Sequence, residues 1–269
     1  MFKELALNPI AFNLGSIKVH WYGIFIASAV MIAIYLSVKE GALHGIKSDD
    51  IYNMVLYALP VAIISARAYY VIFQWGYYRN NLDQIVQIWD GGIAIYGSLI
   101  GAGIVVYLFC RYHLISFWLM LDVISPTVIM GQAIGRWGNF MNQEAFGQAT
   151  SLAFLQHLHL PTFIINQMNI MGVYRQPTFL YESMWDLLGF ILLMSLRHLP
   201  HFYKEGEVFF TYVMWYSFGR FFTEGMRTDS LMMFGDIRVS QFLSVILFIA
   251  SILAIVYRRY HYTKLPWYY

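Results

Sequence analysis

Charge is what this chain has least of: only 12% of its 269 residues are Asp, Glu, Lys or Arg, about half the share of roughly 25% in soluble domains. With 59% hydrophobic and 19% aromatic residues, that is the composition of an integral membrane protein. Cysteine is nearly missing as well. Cys110 stands alone, so no disulfide and no cysteine metal site can form within the chain, and its place in the apolar run GIVVYLFC predicts a packed, inert thiol. There is no H-E-x-x-H or paired-histidine spacing and no G-x-S-x-G elbow, so metal hydrolysis is disfavoured and no metal or cofactor is expected. A net charge of +2, without a basic block, speaks against a nucleic-acid partner. The start, MFKELALNPIAFNLGSI, lacks a basic region followed by a small-residue cleavage site, and no removable signal is read there.

Long apolar runs are present instead. A helix needs about 20 apolar residues to cross the hydrocarbon core, and seven stretches qualify, at roughly 21–38, 51–74, 93–110, 116–135, 178–196, 207–223 and 240–257. The breaks between them, such as KEGALHGIKSDD, RNNLDQ, RYH, LRHLPHFYKEGE and RTDSLMMFGD, carry turn and charge residues. The expectation is a single polytopic domain, an all-α integral membrane protein of seven transmembrane helices. The polar interruption at 140–177 forms a small extracytoplasmic head with short helical pieces.

Lysine and arginine divide evenly between the two faces, but Arg136, Arg220 and Arg227 fall in motifs that read as functional. Without them the balance, and the basic tail RRYHYTKL, place the C-terminus in the cytoplasm and the N-terminus outside. Parity then brings four polar groups to the outer half of the membrane. Tyr22 and Tyr96 open the first and third spans; Arg136 and Arg220 close the fourth and sixth.

The densest polar motif is GRWGNFMNQEAFG, 135–147. An arginine at bilayer depth costs a few kcal/mol even on the mildest scales, so it is by default functional and needs a partner. Arg136 offers a planar five-donor fork suited to phosphate. Asn139, Asn142, Gln143 and Glu144 are candidates to hold that fork or to bind a headgroup hydroxyl. Gly131 and Gly135 make a small-xxx-small pair for close packing, and Gly138 is expected to loosen the helix. The alternative is a snorkelling arginine with a polar cap.

In WYSFGRFFTEGMRTD, 215–229, Tyr216, Arg220, Glu224 and Arg227 would form one polar stripe on a continuing helix. Glu224 could pair with Arg220 or Arg227, either structurally or around a shared anion. In DGGIAIYGSLIGAG, 90–103, Gly97 and Gly101 form a packing motif beside Tyr96, which is either a belt tyrosine or a substrate contact; Tyr22 in HWYG leaves the same choice. RQPTFLYES places Tyr181 and Glu182 at the outer surface, and SARAYYVIF puts Arg67 inside the second span. Either of those charges can be structural.

Taken together and in this order, these elements resemble the bacterial prolipoprotein diacylglyceryl transferase family. The run from Gly135 to Glu144 is similar to that family's signature, and the likeness continues through HWYG, SARAYYV, DGGIAIYGSLIG, QPTFLYE and GRFFTEGMR. The resemblance implies a multi-pass enzyme of the bacterial cell membrane. Such an enzyme moves the diacylglyceryl group of the membrane lipid phosphatidylglycerol onto the lipobox cysteine of a prolipoprotein signal peptide, forming a thioether and releasing glycerol phosphate. It also implies that Arg136 and Arg220 handle phosphate and that Asn139, Glu144 and Tyr22 belong to the essential set. One departure stands out: many members carry histidine and two glycines where this chain has Tyr96-Gly97-Ser98.

The chemistry fits the residues, because guanidiniums stabilise the charge that builds on a departing phosphate and the nucleophilic thiol belongs to the substrate. Tyr96, a phenol with an ordinary pKa of about 10, reads as a hydrogen-bonding orienter rather than the proton acceptor. Two other classes compete. A transporter would show internal repeats and a midplane site, and a lipid-binding scaffold would need no paired arginines.

Overall fold

The structure, a computed structural model, describes residues 6–228, 232, 238–262 and 264–269, without the Asp90 side chain. Residues 1–5 of the N-terminal stretch, Thr263 of the basic tail, residues 229–231 and 233–236 of the RTDSLMMFGD break and Ile237 after it lie outside the described residues.

Helix dominates. A hairpin, β1 (Ile10–Leu14) and β2 (Ile17–His20), leads into α1 (Trp21–Leu43), α2 (Ser48–Phe73), the short α3 (Trp75–Tyr78), α4 (Ile95–Tyr112) and α5 (Phe117–Asn142). Then come α6 (Leu152–His157), α7 (Thr162–Gln167), a two-residue-strand hairpin of β3 (Asn169–Ile170) and β4 (Val173–Tyr174), α8 (Thr178–Leu196), α9 (Glu207–Met226) and α10 (Val239–His261). Six of them, α1, α2, α4, α5, α8 and α10, are long and apolar enough to cross a membrane. The protein is a mostly helical, multi-pass membrane protein. The 20-residue α9 has the length but carries Glu207, Arg220 and Glu224, which keep it outside that apolar set.

Two compact units are present, one of Met1–Ala33 with Leu121–Tyr269 and one of Ile34–Met120. In the second unit α4 lies directly on α2, because a Cβ at Gly97 or Gly101 would overlap Ser65. Gly97 is therefore used by the helix crossing. Arg67, expected inside a span with its role open, is buried and structural. Its Nε donates to the Ile85 carbonyl at 2.8 Å, Nη1 to those of Gly91 and Gly92 at 2.7 Å each, and Nη2 to that of Gln84 at 2.6 Å. Gly91 and Gly92 have φ of 86° and 72°, a conformation that glycine adopts without steric cost; it lets both carbonyls turn toward one guanidinium. Tyr96, half-buried in the first turn of α4, rests against Tyr69 with ring centroids 6.5 Å apart. Cys110 is fully buried, as its sequence setting predicts.

In the first unit α1 crosses α5 over the expected glycines: Ile26 faces Gly135, Ala29 faces Gly131, and the Tyr22 ring sits 2.5 Å from where a Gly138 Cβ would stand. The expectation that Gly138 loosens the helix is corrected, since it makes room for Tyr22 and α5 runs on to Asn142. The polar GRWGNFMN stretch stays helical because its neighbours satisfy it. Gln167 is 1% exposed. Its Nε2 donates to the carbonyls of Phe140 and Met141 at 3.0 and 3.2 Å, and its Oε1 accepts from Leu7 N at 2.8 Å. Phe140, Leu155, Ile164, Ile165, Met168 and Phe179 close a small apolar core around this end of α5.

Helices α8 and α9 lock together by a reciprocal device. The indoles of Trp185 and Trp215 stack at 4.2 Å and 12°, and each Nε1 donates to the other's backbone carbonyl at 3.1 Å. Four residues on, Gly189 and Gly219 leave space for the opposing indole, which a Cβ would overlap. Asp122 near the start of α5 accepts from the Gly206 and Phe209 backbone N–H groups at 2.5 and 2.8 Å, satisfying donors that a helix N-terminus otherwise leaves unmet. Glu207 is gripped by Arg259 through Nε and Nη2 at 2.7 and 2.6 Å.

Candidate active site

Glu182 is the partner that Arg136 requires. It sits in the second turn of α8, 5% exposed, so its carboxylate is turned into the protein. One oxygen, Oε2, lies 2.9 Å from Arg136 Nε, and the other, Oε1, accepts from Arg220 Nη1 at 3.0 Å. Arg220 Nη2 lies 2.5 Å from Glu224 Oε2. A single carboxylate thus joins arginines from two other helices. Two like charges in a low-dielectric setting would be held apart without such a bridge. Ser183 fixes the presentation: its hydroxyl donates to the Ala133 carbonyl at 2.9 Å and accepts from Trp137 Nε1 at 3.2 Å, docking α8 on α5 beside Arg136.

The arginines also lie level with each other along their two helices. Asp122 and Arg136 are fourteen residues apart on α5, and Gly206 and Arg220 are fourteen apart on α9. The first of each pair are hydrogen-bonded and the second meet at Glu182. At 1.5 Å per residue the two helices run alongside in the same direction for about 21 Å.

A small cleft opens on this junction, lined by Arg136, Glu182, Asp186, Tyr216, Arg220 and Thr223, with Trp185 and Gly219 at its wall. Tyr216, Arg220 and Glu224 form the expected stripe. Arg227 does not continue it, because α9 ends at Met226 and Arg227 is extended at the C-cap, bridged to Gly147. Nor do the Asn142 and Gln143 carboxamides hold the Arg136 fork. Asn142 donates to Glu144 Oε1 at 3.3 Å and Gln143 to the Gln167 carbonyl at 2.7 Å, while the backbone carbonyl of Asn139 accepts from Glu144 N at 2.9 Å. The Asn142 and Gln143 amides are spent on residues that follow α5 instead. Tyr22, on Gly138, is two residues from Arg136 along α5. Tyr96 and Gly97 belong to the other unit.

Sequence reasoning missed Asp122, Asp186 and the tryptophan pair. The signals were there. Both aspartates are intramembrane charges of the kind that rule singled out for Arg136, and Trp-x-x-x-Gly occurs in both α8 and α9.

Residues 9–257 match the family model described as Prolipoprotein diacylglyceryl transferase. A protein of Lactiplantibacillus plantarum is 68% identical over 263 residues, covering 98% of this chain and 93% of its own length. One of Pediococcus pentosaceus is 71% identical over 254 residues, 94% of this chain and 91% of its own. One of Listeria innocua is 58% identical over 253 residues, 94% and 90%. All three carry the name phosphatidylglycerol--prolipoprotein diacylglyceryl transferase. With agreement along almost its whole length, and paired arginines at the centre of its first unit, this chain belongs to the prolipoprotein diacylglyceryl transferase family.

Proposed function

We propose that this enzyme transfers the diacylglyceryl group of phosphatidylglycerol to the lipobox cysteine thiol of prolipoproteins, forming a thioether and releasing glycerol phosphate. The observation that carries the reading is the junction of Arg136 and Arg220 on Glu182. As sulfur attacks the glyceryl carbon, the carbon–oxygen bond breaks and charge gathers on the leaving phosphate. Guanidiniums already fixed in place stabilise that charge without having to reorganise. Glu182 takes the Nε side of Arg136, and the terminal nitrogens beyond it offer a bidentate edge to phosphate. Glu224 holds Arg220, Tyr22 and Tyr216 flank the two arginines, and Asn139, Asn142, Glu144 and Arg227 are assigned to the headgroup and the peptide around it. Neither a metal nor nucleic acid enters this scheme. The direct test supplies labelled phosphatidylglycerol and a lipobox peptide to the membrane-embedded enzyme; a thioether-linked product is expected, and its absence would overturn the reading.

In this reading α9 also crosses the membrane, as the sixth of seven spans. Its support is the parallel course with α5 between Asp122 and Glu182. Residues 140–177 are then an extracytoplasmic head, with the N-terminus outside and the C-terminus cytoplasmic. A reporter fused after Tyr269 should read cytoplasmic and one inserted near Gln156 external; the opposite pattern would reject this topology.

For Tyr96 we keep the orienting role, with Gly97 holding its helix against α2. Tyr96→Phe removes one hydrogen bond, about 0.5–1.5 kcal/mol, so turnover should fall by a factor of roughly two to twelve. Tyr96→His should be tolerated. A loss of a thousandfold or more for Tyr96→Phe, with a flattened pH dependence between pH 6 and 9, would instead make Tyr96 the proton acceptor.

A further inference from the structure

Asp186 lines the cleft but takes no part in the ion pairs of Glu182. It is 3% exposed, and its Oδ2 has no hydrogen-bond partner among the described residues. Leaving a buried polar atom unpaired is costly, so a position that keeps one calls for an explanation. Asp186 follows Glu182 by four residues on α8, which puts it on the same face about 6 Å along the axis. The direction is inward: Glu182 is near the Thr178 end and Asp186 nearer the middle of the 19-residue helix. A glycerophospholipid has the same order, with phosphate toward the membrane surface and the glyceryl carbon on its inner side.

Resting on the reading that Arg136 and Arg220 hold the phosphate, the geometry points to Asp186 as the base that takes the proton of the attacking thiol. Its carboxylate accepts the proton from S–H as the sulfur electron pair forms the bond to the glyceryl carbon. The carbon–oxygen bond to phosphate breaks, and its electron pair leaves with the phosphate oxygen. The proton then passes from Asp186 to that oxygen, restoring the carboxylate as glycerol phosphate departs. A thiol ordinarily ionises near 8.5, so at neutral pH most of the nucleophile still carries its proton and an acceptor at this depth has work to do. The charged and titratable groups facing Asp186 are Arg136 from α5, Glu182 on α8, and Tyr212, Tyr216 and Arg220 from α9. The arginines offer no acceptor, and Glu182 spends both oxygens on them.

The test uses the full-length enzyme in phosphatidylglycerol vesicles with two lipobox peptides, one with cysteine and one with selenocysteine at the acceptor position. A selenol is ionised at neutral pH and needs no base. With the cysteine peptide, Asp186→Asn should lower turnover about 10²–10⁴-fold, leave the KM for lipid nearly unchanged, and remove the acid limb of the pH–rate profile. The selenocysteine peptide should restore Asp186→Asn toward wild type but not Arg136→Ala. Loss of equal size with both peptides, or an acid limb retained in Asp186→Asn, would overturn the assignment. If Asp186→Asn does not insert, Asp186→Glu decides: a deficit confined to the thiol peptide supports the base, and an equal deficit with both refutes it. A wild-type enzyme making no product with either peptide would refute the transferase reading itself, which separates the two failures.

Discussion

Arg136→Ala is expected to abolish transfer while the protein still inserts and folds. Removing one preorganised donor from a developing oxyanion costs about 10²–10³ in turnover, and Arg136 brings a charge and several donors at once. Insertion survives because α5 keeps its apolar face and its glycine crossing with α1. Arg136→Lys should recover little, since an ammonium reproduces neither the planar fork nor the simultaneous grip on Glu182 and phosphate. The measurement is thioether formation per mole of inserted enzyme. Near wild-type turnover in Arg136→Lys would show that a point charge suffices and that the clamp is misassigned.

Glu182→Ala should be the most damaging change to the fold around the site. It leaves Arg136 and Arg220, 18% and 17% exposed in their side chains, without their shared counter-charge. Breaking one side of a buried ion pair costs about 3–5 kcal/mol, because the remaining charge is stranded. Here two charges are stranded, with Glu224 left to serve Arg220 alone. Glu182→Gln keeps an acceptor for one guanidinium and should lie between wild type and Ala in thermal stability, yet it should lose transfer about as completely as Arg136→Ala. Thermal unfolding in detergent together with the transfer assay would check this. Unchanged stability of Glu182→Ala would mean that the bridge contributes nothing to holding the helices.

Much of this was legible in residue order. Six membrane helices follow from apolar runs, and their starts at Trp21, Thr178 and Val239 fall within a residue of those runs. The end of α5 was read too early, at 135 rather than Asn142, because hydropathy falls where the polar residues begin. The helix continues there because Gln167, 26 residues beyond Met141, reaches back to the Met141 carbonyl with its amide nitrogen. The family likeness, carried by the run from Gly135 to Glu144, was also visible without coordinates.

By itself, then, the sequence determined that this is a polytopic membrane protein, where six of its long apolar helices lie, that Arg136 and Arg220 are conspicuous cations within largely apolar stretches, and which family it resembles. Each of these depends on composition, local periodicity or a contiguous motif. Only the tertiary structure decided that Glu182 joins the two arginines, that Arg67 is spent on four carbonyls, that Gly138 seats Tyr22, and that Asp186 is buried beside the ion pairs with one carboxylate oxygen unpartnered. Every one of those contacts links residues from separate elements or depends on how such elements pack. In a membrane, helix pairing is driven by close packing and polar contacts rather than by the burial of apolar surface from water. Hydropathy therefore announces each helix but is silent about its neighbour, and the Trp185–Trp215 stack over Gly189 and Gly219 chooses that neighbour by shape.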